Sequence, residues 1–284
     1  MTVATPVEAD APAALACRQR LEDVLRRLGR VVVAFSGGAD SAFLAAAATE
    51  VLGAGSALCA TAVSASLAPE ERADGEALAR EWGLRHVSVV TDELSRPAYA
   101  ANGVDRCAHC KDELMDALVP LAKAEGATVV LGVNLDDLGD HRPGQHVAAS
   151  RGAAFPLVEA GFTKDLVRAA SRLAGLRTWD KPAAACLASR IPHGTPVTLT
   201  NLSQVTRAES ALRALGLHQL RVRHHGDTAR VEVAVEEMAH LLARRAAVAD
   251  ALHDAGYRYV TMDLDGFRSG NLARAALEGD GGAT

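Results

Sequence analysis

The stretch Val31-Val32-Val33-Ala34-Phe35-Ser36-Gly37-Gly38-Ala39-Asp40-Ser41 decides the fold. Its first five residues are apolar without a break, the pattern of a strand buried on both faces of a parallel sheet. Two glycines then let the chain turn tightly and bring bare backbone close to an anion. An Ala/Leu-rich helix over residues 41–52 follows. Its first turn aims unpaired N–H groups and a partial positive charge back at the loop. Ser36 and Ser41 add hydroxyl donors, and Asp40 is a carboxylate suited to a magnesium ion that bridges phosphates. The order is strand, phosphate loop, helix. The loop does not end in Gly-Lys-Ser/Thr, which excludes a Walker loop.

The same alternation continues outward. An amphipathic helix over 13–29 precedes the loop. Ala57–Val63, His86–Val90 and Thr128–Leu131 read as strands, and Pro69–Trp82, Lys111–Glu125 and Phe162–Gly175 as helices. Strands alternating with helices predict an α/β fold, a doubly wound parallel sheet covered on both faces. Thr178 to Pro196 has no periodicity and reads as a functional loop or a domain junction. Beyond it, a helix over Thr198–Gly216, strands at Leu220–Arg223 and Ala229–Val235, a helix over Glu236–Gly256 and a strand at Tyr257–Met262 predict a smaller α+β domain. The expected division is a flexible tail over 1–15, a phosphate-loop domain over 16–178, the junction loop and C-terminal domain over 179–274, and a tail over 275–284.

The 284 residues suffice for a large domain or two modest ones. Net charge is −5, without the basic excess of a general nucleic-acid binder. No run approaches the roughly 20 apolar residues of a spanning helix. Met1 to Ala16 carries no Lys or Arg, unlike a secretory signal. The expectation is a cytoplasmic protein with no membrane and no nucleic-acid partner.

Five cysteines, an odd number, do not suggest a disulfide framework. Cys17 lies in a helix and Cys59 in an apolar strand, both expected as core filler. Cys107 and Cys110 form a CxxC, and Cys186 lies in the junction loop. From the residues alone, the CxxC admits a zinc site completed by Cys186 and a histidine, or a dithiol redox pair. Lys181 and Arg190 flank Cys186 and are expected to favour its thiolate.

Several motifs together resemble known enzymes. Ser36-Gly37-Gly38-Ala39-Asp40-Ser41 resembles the SGGxDS signature of the ATP-pyrophosphatase, or PP-loop, superfamily. Arg106-Cys107-Ala108-His109-Cys110-Lys111, Gly132-Val133-Asn134-Leu135-Asp136-Asp137, Gly139-Asp140-His141-Arg142-Pro143-Gly144 and the run from Lys181 to Pro196 closely resemble the LarE family of ATP-dependent sulfur transferases. Arg221-Val222-Arg223-His224-His225-Gly226 and the run from Tyr257 to Leu264 also resemble it, so the likeness spans about residues 16–274. It implies an adenine-nucleotide α-hydrolase-like fold and cleavage of ATP between its α- and β-phosphates. It further implies that a carboxylate of pyridinium-3,5-dicarboxylate mononucleotide is adenylylated and converted to a thiocarboxylate, for a nickel-pincer nucleotide cofactor. The family suggests a homo-oligomer.

The resemblance implies two sources for the sulfur. In one, Cys107, Cys110 and Cys186 bind a 4Fe–4S cluster whose fourth iron carries an extra sulfide. In the other, Cys186 gives up its own sulfur and becomes dehydroalanine. Family members with the added CxxC match the first, which is the version expected here.

The expected ATP and pyrophosphate ligands are Ser36, Gly37, Gly38, Asp40, Ser41, Asp136 and Arg142. Asp136, Asp137 and Asp140 follow a strand end, where such sheets place ligands. Cys186, Asp40 and Arg190 are the expected catalytic residues. Arg221 and Arg223, two apart on a strand, are expected to hold the substrate phosphate, helped by Arg258 and Arg268, with Glu232 balancing them or binding a metal. ATP, Mg2+ and the cluster are the expected cofactors. An amidating ligase of the same superfamily needs no reactive cysteine. A tRNA thiolase needs a basic appendage that is not evident here. A nucleotide-binding regulator on the same fold releases no pyrophosphate.

Overall fold

A computed structural model describes residues 6–138, 143–182 and 184–267. In chain order the elements are α1 (Pro6–Leu28), β1 (Val31–Ala34), α2 (Ala39–Leu52), β2 (Ala57–Val63), α3 (Pro69–Glu81), β3 (Arg85–Val90), α4 (Pro97–Ala100) and α5 (Arg106–Glu125). They continue with β4 (Thr128–Leu131), α6 (Pro143–Ser150), α7 (Pro156–Glu159), α8 (Lys164–Leu173), α9 (Leu199–Ala214), β5 (Leu220–His225), β6 (Thr228–Val233), α10 (Met238–Ala243), α11 (Arg245–Asp254) and β7 (Tyr259–Met262). No helix among the described residues is long and apolar enough to cross a membrane.

The chain divides into two compact units. The first takes the described residues up to Ser64, with Pro69–Glu93 and Cys107–Ala184. The second takes Ala65–Ala68, Leu94–Arg106 and the residues from Ala185 onward. The sequence places the boundary at 178/179 and gives no sign of the two short segments lent to the second unit. Helix α1 reaches back to Pro6, into the stretch that reads as a tail.

The first unit is built on a parallel sheet of order β3-β2-β1-β4. Val31 and Val33 of β1 enter a core with Leu21 and Leu25 of α1, Phe43 of α2 and Val167 of α8. Val32 enters a second core with Met115, Leu118 and Ala122 of α5. Alternate residues of one strand therefore feed opposite layers, which is why the run is apolar throughout. β1 pairs with β2 on one side and β4 on the other, so the connections leaving β1 and β4 diverge. Open α/β sheets bind ligands at such a switch point, at the carboxyl ends of the strands.

α5 begins at Arg106, so Cys107 and Cys110 lie inside its first turns and not before the helix as expected. The second unit is a sheet of order β5-β6-β7. Its core joins Leu212, Val222, Val231, Val248 and Tyr257. The helix expected over Glu236–Gly256 is broken into a 3-10 turn (Val235–Glu237), α10 and α11.

Candidate active site

The phosphate loop sits where β1 ends and α2 begins. Gly37 has φ +71°, a left-handed conformation that glycine adopts without a Cβ penalty. Ser36 and Ser41 hydroxyls lie 2.9 Å apart, and the Ser36 amide donates to Ser41 Oγ at 3.2 Å. Beneath the loop, the Thr61 hydroxyl donates to the Phe35 carbonyl at 2.7 Å. Its single proton is then committed, so its 2.9 Å contact with His86 Nε2 requires the ring to donate.

The chain leaving β4 meets the loop. A Cβ on Gly132 would stand 2.7 Å from the Ser41 amide nitrogen and 2.9 Å from the Asp40 carbonyl carbon. Only glycine permits this approach without moving the start of α2. Gly132→Ala is expected to cost roughly 1–3 kcal/mol of stability and to weaken nucleotide binding together with it. Thermal melts alongside ATP titration check this, and unchanged ATP affinity would contradict it.

Two residues beyond, the fully buried Asn134 organises a small acidic centre. Its Nδ2 donates to Asp40 Oδ1 at 3.0 Å, and its Oδ1 accepts from the Asp136 and Asp137 amides. Burial holds the Asp40 carboxyl above the ordinary range, and the negative charge of Asp137 adds to the shift. The Asn134 bond and Lys164 oppose it without cancelling it. Asp136 is the ligand expected from sequence. In the structure its carboxylate accepts the Lys164 amide at 2.6 Å, at the start of α8. Asp137, named beside Asp136 in the sequence, is the carboxylate whose charge acts on Asp40. Arg142, Asp140 and Arg268 lie outside the described residues.

The cysteines sort by exposure. Cys17 and Cys59 are buried, and burial pushes the Cys59 thiol up to about 12. Cys107 and Cys186 are exposed and Cys110 is half-exposed. Cys107 and Cys110 are three apart on α5, a spacing that puts both on one helix face. Among the described residues no three His, Cys, Asp or Glu side chains are grouped to hold a metal ion.

In the second unit Cys186 caps the 3-10 turn Leu187–Arg190. The turn is pinned by its backbone. The Leu187 amide donates to Ser66 O at 2.9 Å, and Arg106 donates to Ala188 O at 2.9 Å. Asn102, at φ +59°, donates to the carbonyls of Pro192 and Thr195. Arg190 has a different role from the one expected. It is buried in a fork against the fully buried Glu209, at 2.8 and 3.0 Å. One of its terminal nitrogens donates to the carbonyls of Ala185 and Cys186. Arg190 thus holds the loop backbone. Breaking such a buried pair typically costs about 3–5 kcal/mol.

Arg223 is also reassigned. Its guanidinium is forked onto the buried Glu232, at 2.9 and 2.7 Å, and donates to Ser189 O. Glu232 thus balances Arg223, as one of the two expected roles had it, and also meets Arg230 at 3.1 Å. Arg221 differs. Burial pulls its guanidinium down to about 10, and the positive charges of Arg190, Arg223 and Arg213 add to this. It lies 5.0 Å over the Phe267 ring. A half-buried cation among like charges is stabilised by an incoming anion. Trp179 packs under Arg172 at 5.1 Å.

Sequence reading quotes Asn134 and Arg106 within motifs but assigns them no role, and does not single out Asn102 or the Thr61–His86 support. Each acts through groups brought close by tertiary structure, so local sequence carries no signal for it. Lys181 is expected from sequence to act on Cys186. Instead its Nζ donates to Gly37 O at 3.1 Å and pairs with Asp74 at 2.7 Å and Glu71 at 2.9 Å. Burial pulls the Lys181 ammonium down, but the two carboxylates outweigh it and hold the pKa above its ordinary value.

A parallel sheet with an SGGxDS loop at its switch point defines a PP-loop α/β protein. No protein-family model matches the chain. It is 44% identical over 259 residues to an uncharacterized protein of Synechocystis sp., covering 90% of this chain and 96% of the relative. It is 38% identical over 249 residues to pyridinium-3,5-bisthiocarboxylic acid mononucleotide synthase of Lactiplantibacillus plantarum, covering 87% of this chain and 90% of that enzyme. A Methanocaldococcus jannaschii uncharacterized protein is 22% identical over 242 residues, 84% of this chain and 91% of its own length. The chain belongs to the family of the synthase, the LarE family.

Proposed function

We propose that this chain is a sulfur transferase. It uses ATP to adenylylate a carboxylate of pyridinium-3,5-dicarboxylate mononucleotide and converts that group to a thiocarboxylate. The observation that carries the reading is the phosphate loop at the sheet's switch point, with Asp40 held by Asn134 and raised by burial and Asp137. The product named for the relative, a bisthiocarboxylic acid mononucleotide, supports the substrate class.

The loop amides and the Ser36 and Ser41 hydroxyls bind the β- and γ-phosphates, leaving the α-phosphorus open to the carboxylate. Attack forms the acyl-adenylate and releases pyrophosphate. Asp40 and Asp137 fit Mg2+, since a cation offsets the burial and the Asp137 charge that together raise Asp40. Held by Asp40 and Asp137, Mg2+ would supply positive charge to the departing pyrophosphate. Arg221 binds the substrate phosphate in this scheme.

Cys107, Cys110 and Cys186 are the proposed ligands of a 4Fe–4S cluster. They are the accessible thiols among the described residues, although no three-donor group stands assembled there. A cluster held there would supply sulfide. The exposure of Cys186 on a pinned turn favours a second reading. Its thiolate attacks the acyl carbon, forming a C–S bond as the C–O bond to AMP breaks. A base then removes the Cα proton, the Cβ–S bond breaks, and thiocarboxylate leaves with dehydroalanine in the chain. A cytoplasmic setting and self-assembly are part of the proposal.

Anaerobic incubation with ATP, Mg2+ and the dicarboxylate nucleotide, read by mass spectrometry, tests the function. Replacement of a carboxylate oxygen by sulfur is expected. An amide formed from ammonia, or thiolation of added tRNA instead, would overturn it.

A further inference from the structure

We propose that Lys181 is a positioning residue that fixes the Gly37–Gly38 peptide of the phosphate loop and so aims the Gly38 amide at the nucleotide. The inference rests on the reading of this loop as the ATP site and deepens it. A peptide between two glycines is little restrained by its own side chains, and the Gly38 amide has only a long bond to Ser36 Oγ at 3.4 Å. In one orientation Gly38 N–H faces the anion. In the flipped one the Gly37 carbonyl oxygen faces it and repels it. The two groups point opposite ways across a trans peptide, so fixing one fixes the other.

Lys181 fixes the carbonyl. Its ammonium donates to Gly37 O at 3.1 Å. The side chain is only 16% exposed, and Asp74 and Glu71 of α3 hold it at 2.7 and 2.9 Å. Asp74 is itself held by Arg177 at 2.8 Å. Three oxygens surround the ammonium within 3.1 Å, so it acts through the loop and not on the phosphates. Helix α3 also backs the loop directly, since a Cβ on Gly37 would stand 3.3 Å from Gly75 Cα. One helix therefore packs against the loop and carries the cage of the lysine that orients it.

The test is titration of wild type and Lys181→Met with α,β-methylene ATP, with KM for ATP and for the dicarboxylate nucleotide measured in parallel. Methionine keeps the apolar stem and removes the donor. The expected result is a Kd weaker by about tenfold or more, the scale of one lost charge-assisted hydrogen bond. KM for ATP should rise alike while KM for the nucleotide substrate stays put. A variant that melts earlier but binds the analogue as wild type does would make Lys181 a structural pin and overturn the inference. If Lys181→Met does not fold, Lys181→Gln, which keeps an uncharged donor, goes into the same assay. Intermediate affinity supports positioning and wild-type affinity refutes it. Failure of wild type itself to bind the analogue would remove the ATP reading and this inference with it, an outcome distinct from equal binding by both proteins.

Discussion

Cys186→Ala is expected to abolish thiocarboxylate formation while leaving the first round of substrate-dependent pyrophosphate release in place. The two half-reactions separate because their groups lie in different units: the phosphate loop in the first and Cys186 in the second. The thiol is exposed, and what secures its turn is its backbone: carbonyls that accept from the Arg190 and Arg106 side chains, and a Leu187 amide that donates to Ser66 O. Truncation therefore leaves the turn intact, at a stability cost within about 0.5 kcal/mol. Quenched single-turnover assays for pyrophosphate and for product check both halves. Sustained product formation by the variant would remove Cys186 from the chemistry altogether. In wild type the same assay separates the sulfur sources. The cluster reading expects iron in anaerobically purified protein and an unchanged chain mass after turnover. The sacrificial reading expects each chain to lose the elements of one hydrogen sulfide molecule and stop.

Asp40→Asn is expected to lower the adenylylation rate by about a hundredfold or more, because it removes the proposed magnesium ligand where charge develops. It is not expected to destabilise the apo fold. The folded pKa of Asp40 is raised, so its ionisation at neutral pH opposes folding, and this cost disappears as pH falls through that raised value. The amide removes the charge and preserves the shape, so the melting temperature should hold or rise. Wild type carries a matching pH signature. Protons compete with Mg2+ for Asp40, so Mg·ATP affinity should fall on acidification, beginning at higher pH than for an ordinary carboxylate. Calorimetry and kinetics on both proteins decide. Full activity with a lowered melting temperature would contradict this role.

The fold of the first unit was legible because one segment carried three signals at once. Val31 to Val33 can be apolar without a break only where helices cover both sheet faces, and the glycines and Asp40 follow directly. What joins the site across the chain was not legible. Asn134 reaches Asp40, 94 positions away, only because β4 pairs with β1, and strand order is not written in local periodicity. Lys181 finds Asp74 across 107 positions for a similar reason. In sequence, a cation near a reactive thiol, or on a strand face, reads as ligand-facing, as Arg190 and Arg223 do. Glu209 and Glu232, which neutralise them, come from other elements. The helical start at Arg106 was missed because Cys107, His109 and Cys110 add no apolar stripe.

The most direct measurement is exchange of radiolabelled pyrophosphate into ATP, with Mg2+ and the dicarboxylate nucleotide present. If the loop after β1 holds ATP for cleavage between its α- and β-phosphates, label appears in ATP only when the nucleotide is present, and Asp40→Asn suppresses it. Absence of exchange, with ADP and inorganic phosphate as the products, would contradict the account.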